Sequence, residues 1–160
     1  MLVISNTTPF ISLAVIGQLH LLPLLYGHVI IAPAVQAELQ RGGSFQVGVI
    51  EFGAADWINV IALQDPRRAD LLNDLDRGEA ETIALAQELN ADLVLMDERL
   101  GRKYARRAGL KISGTLGVLV KAKMRGIVPA VKPLIEQLLQ NGIYLDGTVI
   151  QEALALAGEN

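Results

Sequence analysis

The chain has 160 residues, of which 51% are apolar and only 4% aromatic, and its formal net charge is −3. This length suits one domain whose core is built from Leu, Ile, Val and Ala, a composition typical of a parallel sheet covered by helices on both faces. The absence of cysteine excludes disulfides, thiolate metal sites and a cysteine nucleophile, and it is compatible with a reducing cytoplasm. The acidic net charge excludes a uniformly basic protein surface of the kind that binds nucleic acid.

The charged residues are distributed very unevenly along the chain. Residues 1–50 carry only two of them, Glu38 and Arg41. The uncharged stretch Phe10–Val35 is long enough to span a bilayer, but it is interrupted by histidine, proline and glycine. No basic segment precedes it, as a secretory signal would require. We therefore predict buried helix, turn and strand here, with no membrane association.

The first predicted strand is short and apolar, Leu2–Ser5, and the polar residues 6–8 end it. Thr8 followed by Pro9 is typical of a helix start, with Thr as N-cap and Pro at the first helical position. Two short apolar helices, separated by Gly17, are expected to follow.

A second strand and its helix come next. The strand is predicted at His28–Ala32, and Pro33 opens a helix that Gly42 and Gly43 end. Trp57–Ile61 has the composition of a third strand.

The second half of the chain alternates helices and strands more regularly. Gln64–Arg77 is polar and indicates a linker with a helical segment, and Gly78–Leu89 has a strong helical pattern. The remaining predictions are a fourth strand at Asp92–Met96, a basic helix at Glu98–Ala108, a short strand at Lys111–Ser113, and helices at 115–125, 130–141 and 147–157. Strands alternating with helices predict an α/β fold with a parallel sheet.

Polar side chains are predicted where strands of this sheet end. Asn6 follows the first strand and Asp97 follows the fourth. If these strands are neighbours, both side chains lie at the switch point where α/β proteins bind ligands. Helices at the same edge of the sheet would bring Glu38 and Glu79 into the same cleft. Three carboxylates and one amide repel one another unless a cation lies among them, and oxygen ligands favour Mg²⁺ or Mn²⁺.

The chemistry of such a site points toward phosphodiesters. Divalent metals activate water and neutralise charge during phosphodiester hydrolysis. A group of basic side chains begins immediately after Asp97 and is a candidate nucleic-acid surface: Arg99, Arg102, Lys103, Arg106 and Arg107. A solvated helix face is the simpler interpretation of the same residues.

Several ordered motifs carry a family resemblance. The segments SNTTPFI, APAVQAEL, GEAETIALA and DERLGRKYARRAGLKISGTLGVL span most of residues 2–126. Together they resemble PIN-domain proteins, which include the toxins of VapBC toxin–antitoxin pairs. The resemblance implies a three-layer α/β/α fold with strand order 3-2-1-4-5, one or two Mg²⁺ or Mn²⁺ ions, and endonuclease activity on RNA. It also implies a single domain over 1–160, with a helical extension from about 127.

By motif position, the resemblance makes Glu38, Glu79 and Asp97 the second, third and fourth acids of the site. Asn6 stands where the first acid is usual. An amide oxygen is a neutral and weaker ligand, so we expect weakened metal binding and lower or lost turnover. A natural loss and an engineered Asp→Asn change both remain open as its origin.

Other residues are expected to support the site without binding the metal: Thr7, Thr8 and Glu81. Each principal residue also has a simpler interpretation. Asn6 is a common turn former, Glu38 has Arg41 three residues away, and Glu79 favours the dipole of its helix. For Asp97, which follows an apolar strand, a purely structural interpretation is the weakest.

Three functions are consistent with these residues. The leading one is a PIN-type metal-dependent endoribonuclease, as a cytoplasmic toxin with an antitoxin partner and a homodimeric state suggested by the apolar C-terminal helices. The second is a degenerate module that binds RNA or a partner protein without cleavage. The third, a flavodoxin- or receiver-like domain, lacks the expected glycine-rich loop or acidic pair after the first strand.

Overall fold

A wholly parallel five-stranded sheet lies at the centre of the molecule. The computed structural model describes residues 1–42 and 49–160. The strands are β1 Val3–Ser5, β2 Val29–Ile31, β3 Ile58–Val60, β4 Leu93–Leu95 and β5 Ile112–Ser113. Their order is β3-β2-β1-β4-β5, which confirms the order that the resemblance implied.

The helices form the two outer layers. Those of the described residues are α1 Thr7–Val15, α2 Leu21–Tyr26, α3 Pro33–Gln40, α4 Val49–Ala54, α5 Arg67–Asp70, α6 Arg77–Leu89, α7 Arg99–Arg107, α8 Thr115–Met124, α9 Lys132–Gln140 and α10 Gly147–Ala157. Helix α4 was not predicted from the sequence. Gly42 follows α3 with a φ of +79°, as expected of a glycine that ends a helix, whereas Gly43 lies outside the described residues.

The start of α1 differs from the prediction. The helix begins at Thr7, and its N-cap is Asn6 in an extended conformation, so the assignment of Thr8 as N-cap was wrong. The backbone N–H of Asn6 donates to Leu95 O at 2.9 Å, which continues the β1–β4 pairing to the last residue before the helix. Pro9 then occupies the third helical position, where its missing N–H breaks no intrahelical bond.

Alternating strand residues build two separate cores. Val3, Ile31 and Leu95 face the layer that contains α1, α2 and α8. Ile4 and Val94 face the layer of α6 and α7. This two-sided burial explains why β2 and β4 are continuously apolar rather than alternating.

The C-terminal helices pack on their own chain. Helix α10 contacts α8, and residues of α9 and α10, including Leu138 and Leu154, belong to the same core as α1 and α2. The sequence left open whether these helices cover the sheet side or a partner. Among the described residues, no helix has the length and apolar character needed to cross a membrane.

Candidate active site

The candidate site lies where the chain reverses direction across the sheet. Strand β1 is central, with β2 on one side and β4 on the other. In open α/β sheets the crevice at the carboxyl ends of such strands is the usual ligand site. Asn6 directly follows β1 and is only 3% exposed.

Asn6 and Glu38 converge on Gly78, although Asn6 follows β1 and Glu38 lies in α3. A Cβ atom at Gly78 would lie 2.5 Å from Glu38 Oε1 and 3.4 Å from Asn6 Oδ1. Any larger residue would therefore displace the carboxylate. Glu81 links α6 to α3, because its carboxylate accepts a hydrogen bond from Ala34 N of α3 at 3.1 Å and another from Arg77 Nε of its own helix at 2.8 Å.

A buried hydroxyl next to this pair lacks a partner. Thr7 Oγ1 makes no hydrogen bond of normal geometry with any described residue. It still lies near enough to Glu38 to favour the charged carboxylate. The pKa of Glu38 is nevertheless raised, chiefly by burial and further by the charge of Asp76. A buried hydroxyl without a partner is costly unless a water or ligand satisfies it.

Glu79 is a strongly perturbed acid of the site. Burial raises the pKa of Glu79 to about 8, and Asp76, Glu98 and Glu38 add to the rise. Burial and the neighbouring acids therefore favour the protonated form of Glu79 at neutral pH. A cation beside these acids would replace that proton.

Asp76 belongs to the site although the sequence analysis placed it in a linker. Its Oδ1 accepts a hydrogen bond from Glu79 N at 2.8 Å, which makes it the N-cap of α6. The pattern of Asp followed three residues later by Glu is a capping signal that would have identified it.

Asp97 has a different environment from the other acids. Its Oδ1 accepts from Thr115 N at 2.7 Å and its Oδ2 from Thr115 Oγ1 at 2.6 Å. Burial raises the pKa of Asp97, while these two hydrogen bonds and the nearby Arg102 oppose the rise. Thr115 was not among the predicted site residues, although it lies in the quoted GTLGVL motif.

The basic residues of α7 do not form one uniform surface. Arg99, Lys103, Arg106 and Arg107 are exposed. Arg102 is half-buried, and its Nη1 donates to Met96 O at 3.0 Å. Burial lowers the pKa of Arg102, with Arg106 adding to the effect. Arg102 is thus turned toward Asp97 rather than toward solvent.

The side chains as placed do not form a ready-made acidic metal cage. Over residues 1–42 and 49–160, no three Asp, Glu, His or Cys side chains are grouped to hold a metal ion. The donor chemistry nevertheless fits a hard cation, because Asn6, Glu38 and the partnerless Thr7 hydroxyl supply oxygen atoms around one crevice. The protonated Glu79 beside them would regain its charge in the presence of a cation.

Comparison with known families decides the wider assignment. A family model described as a PIN domain matches residues 2–159. The chain belongs to the PIN-domain family. No curated protein matches the chain.

Membership in the PIN-domain family agrees with the strand order and indicates a nuclease-type module. Of the four positions that the sequence singled out, the PIN fold here brings Asn6, Glu38 and Glu79 around the start of α6. The fourth, Asp97, lies at the end of the neighbouring strand but is bound by Thr115. Thr8 is a helical residue and does not cap α1.

Proposed function

We propose that this PIN domain is a Mg²⁺- or Mn²⁺-dependent endoribonuclease whose activity is lowered by Asn6. The observation that carries the proposal is the convergence of Asn6 and Glu38 on Gly78 at the switch point of the sheet, beside Glu79, whose pKa is raised. Acids whose pKa values are raised by burial and by one another, in a crevice, are typical of functional sites.

Each proposed role follows from the position of the residue. Asn6 and Glu38 hold the metal, with Glu79 and Asp97 as the remaining ligands. A divalent metal held there would activate a water and neutralise charge on the phosphodiester. Thr7 binds a water at the ligands, and Glu81 keeps α3 against α6. The exposed cations of α7 bind the RNA backbone through its phosphates.

The biological setting forms part of the same proposal. The PIN-domain assignment and the resemblance to VapBC toxins support a cytoplasmic toxin that an antitoxin protein inhibits. We include a homodimer and a single functional domain, with residues from about 127 as its helical extension. The packing of α9 and α10 into the core that also contains α1, α2 and α8 removes the argument that those helices need a partner.

The test is the substitution Asn6→Asp. A carboxylate restores the charge that the amide lacks, so Mn²⁺-dependent cleavage of RNA should rise at least about tenfold, because even changes behind metal ligands alter activity by about 10- to 100-fold. Cleavage of a fluorescent single-stranded RNA, with and without Mn²⁺, measures the effect.

The matched control adds Glu38→Gln to the Asn6→Asp protein. This double variant should lose the gained activity while keeping its thermal unfolding midpoint. If Asn6→Asp cleaves RNA no faster than the unmodified chain in Mn²⁺, the proposed nuclease site is wrong.

One observation favours a second function, a binding module without cleavage. Both oxygens of Asp97 already have protein donors, and the first ligand position is neutral. This alternative predicts that Asn6→Asp binds RNA as the unmodified chain does and cleaves none. Equilibrium RNA binding, measured alongside cleavage, separates the two functions.

A further inference from the structure

The beginning of α8 is built around the Asp97 carboxylate. Thr115 is 1% exposed and donates twice to Asp97, through its backbone N–H at 2.7 Å and its hydroxyl at 2.6 Å. One residue thus engages both carboxylate oxygens. Rotation of the carboxyl group would break at least one of these bonds.

Gly114 makes this approach possible. A Cβ atom on Gly114 would lie 2.5 Å from Asp97 Oδ1 and 3.0 Å from Arg102 Nη1. Its backbone is extended, with φ −118° and ψ −170°, a conformation open to any residue. The glycine is therefore required by space and not by its backbone angles.

The arrangement fixes the carboxylate without saturating it. An ionised carboxylate has about four lone-pair sites, and Thr115 uses two of them. The remaining two keep a defined direction because the carboxyl plane is held. Arg102, bonded to Met96 O, adds a positive charge nearby that partly balances the half-buried carboxylate.

We propose that Thr115, given space by Gly114, is a positioning residue that orients the Asp97 carboxylate toward a divalent cation. This inference rests on the proposed nuclease function. It gives the GTLGVL segment a role at the site, since Gly114 and Thr115 are its first two residues.

The experiment measures Mn²⁺ affinity by isothermal titration calorimetry, in the unmodified chain and in Asn6→Asp. Thr115→Val keeps the shape and the backbone N–H but removes the hydroxyl, and it should weaken Mn²⁺ binding about 10- to 100-fold, as is typical when a ligand loses its supporting hydrogen bond. Thr115→Ser, which keeps the hydroxyl, should bind Mn²⁺ as tightly as the unmodified chain. Gly114→Ala, which leaves the hydroxyl in place but obstructs the carboxylate, should cause a similar loss.

The chain contains its own matched control. The sequence Gly-Thr also stands at the start of α10, where Thr148 N donates to Asp146 Oδ1 at 2.8 Å. A Cβ atom on Gly147 meets nothing within 4 Å. Thr148→Val and Gly147→Ala should leave Mn²⁺ affinity unchanged, which separates an effect at the site from a general effect on helix starts.

A second measurement separates positioning from RNA binding. In the Asn6→Asp background, Thr115→Val should lower kcat for RNA cleavage and leave RNA affinity without metal unchanged. Equal Mn²⁺ affinity in Thr115→Val, Gly114→Ala and their parent would overturn the positioning role alone. So would a loss in Thr115→Ser as large as in Thr115→Val. If neither parent binds Mn²⁺, the proposed function and this role fall together.

Discussion

At the scale of single residues, the geometry of the site depends on the absence of a side chain. Gly78 lies where the Glu38 carboxylate and the Asn6 amide approach each other, with Glu38 Oε1 only 2.5 Å from the place of a Cβ atom. The sequence motif contains this glycine. Nothing in the local pattern shows whether the glycine is there because a side chain would clash or because a helix begins at this point. The contact joins residues 6, 38 and 78, so only the folded chain reveals it.

The substitution Gly78→Ala should displace Glu38. Because the obstructing atom is the end of a flexible side chain, the free energy of unfolding should fall by no more than about 1–3 kcal/mol. Mn²⁺ affinity should fall by about tenfold or more, since the carboxylate is moved from its place. Calorimetric titration and urea unfolding measure the two effects.

Gly53→Ala is the control for that substitution. Gly53 is an exposed helical glycine with open space around it, so alanine should stabilise α4 by roughly 0.5–1 kcal/mol and leave Mn²⁺ affinity unaltered. Unchanged Mn²⁺ binding in Gly78→Ala would mean that the position of Glu38 does not matter for the metal.

At the scale of elements, α7 serves two purposes. Gly101 allows it close to the site, since a Cβ atom there would lie 3.0 Å from Glu79 Oε2. Arg102 is turned inward to Met96 O, whereas Arg106 on the next turn is exposed. The sequence predicted both as equivalent RNA contacts. Helical spacing alone does not reveal that Arg102 donates a hydrogen bond to the backbone after β4 while Arg106 stays in solvent.

The two arginines should therefore respond differently to removal of charge. Arg106→Gln should weaken RNA binding and reduce the slope of log affinity against log salt by about 0.7, the value for one phosphate contact with a single strand. Arg102→Gln should leave that slope unchanged. Fluorescence anisotropy over a salt series measures both, and equal slopes in the two variants would contradict the division of α7.

Element positions were more predictable than their ends. The strands and most helices are at their predicted places because apolar runs, proline and glycine act over a few residues. The predicted start of α1 was wrong. The hydrogen bond from Asn6 N to Leu95 O of β4, 89 positions away, decides where helical geometry begins. Helix α4 was missed for lack of a clear local pattern.

At the scale of the whole molecule, the C-terminus is fastened to the helical layer that covers β1. Glu159 accepts hydrogen bonds from Val131 N at 2.7 Å, Lys132 N at 3.0 Å and Lys123 Nζ at 2.9 Å. These bonds, the backbone ones first, lower the pKa of Glu159 to about 2. The carboxylate thus links α10 to the start of α9 and the end of α8.

The pH dependence of global stability should reflect Glu159 and Glu79 in opposite directions. The pKa of Glu159 is lower in the folded chain, about 2 against 4.5, so its stabilisation is lost as pH falls from 4.5 toward 2. The pKa of Glu79 is higher, about 8 against 4.5, so its contribution is lost as pH rises from 4.5 toward 8. Urea midpoints of the metal-free chain across this range measure both effects.

Two variants and one control assign these slopes. Glu159→Gln should remove the loss of stability between pH 4.5 and 2, and Glu79→Gln should remove the loss of stability between pH 4.5 and 8. Glu136→Gln, at an exposed position of α9, should change neither. An unchanged alkaline slope in Glu79→Gln would show that this side chain does not hold the extra proton.

The sequence by itself determined the α/β class and singled out three residues that the fold brings together around the start of α6, Asn6, Glu38 and Glu79. Periodicity and capping act locally, and the PIN motifs are contiguous segments, so both are readable along the chain. Only the tertiary structure decided that Asp76 joins these acids, that Arg102 turns inward and that Thr115 holds Asp97. Those outcomes depend on side-chain orientation and on charges brought together from distant positions, for which a linear pattern carries no signal.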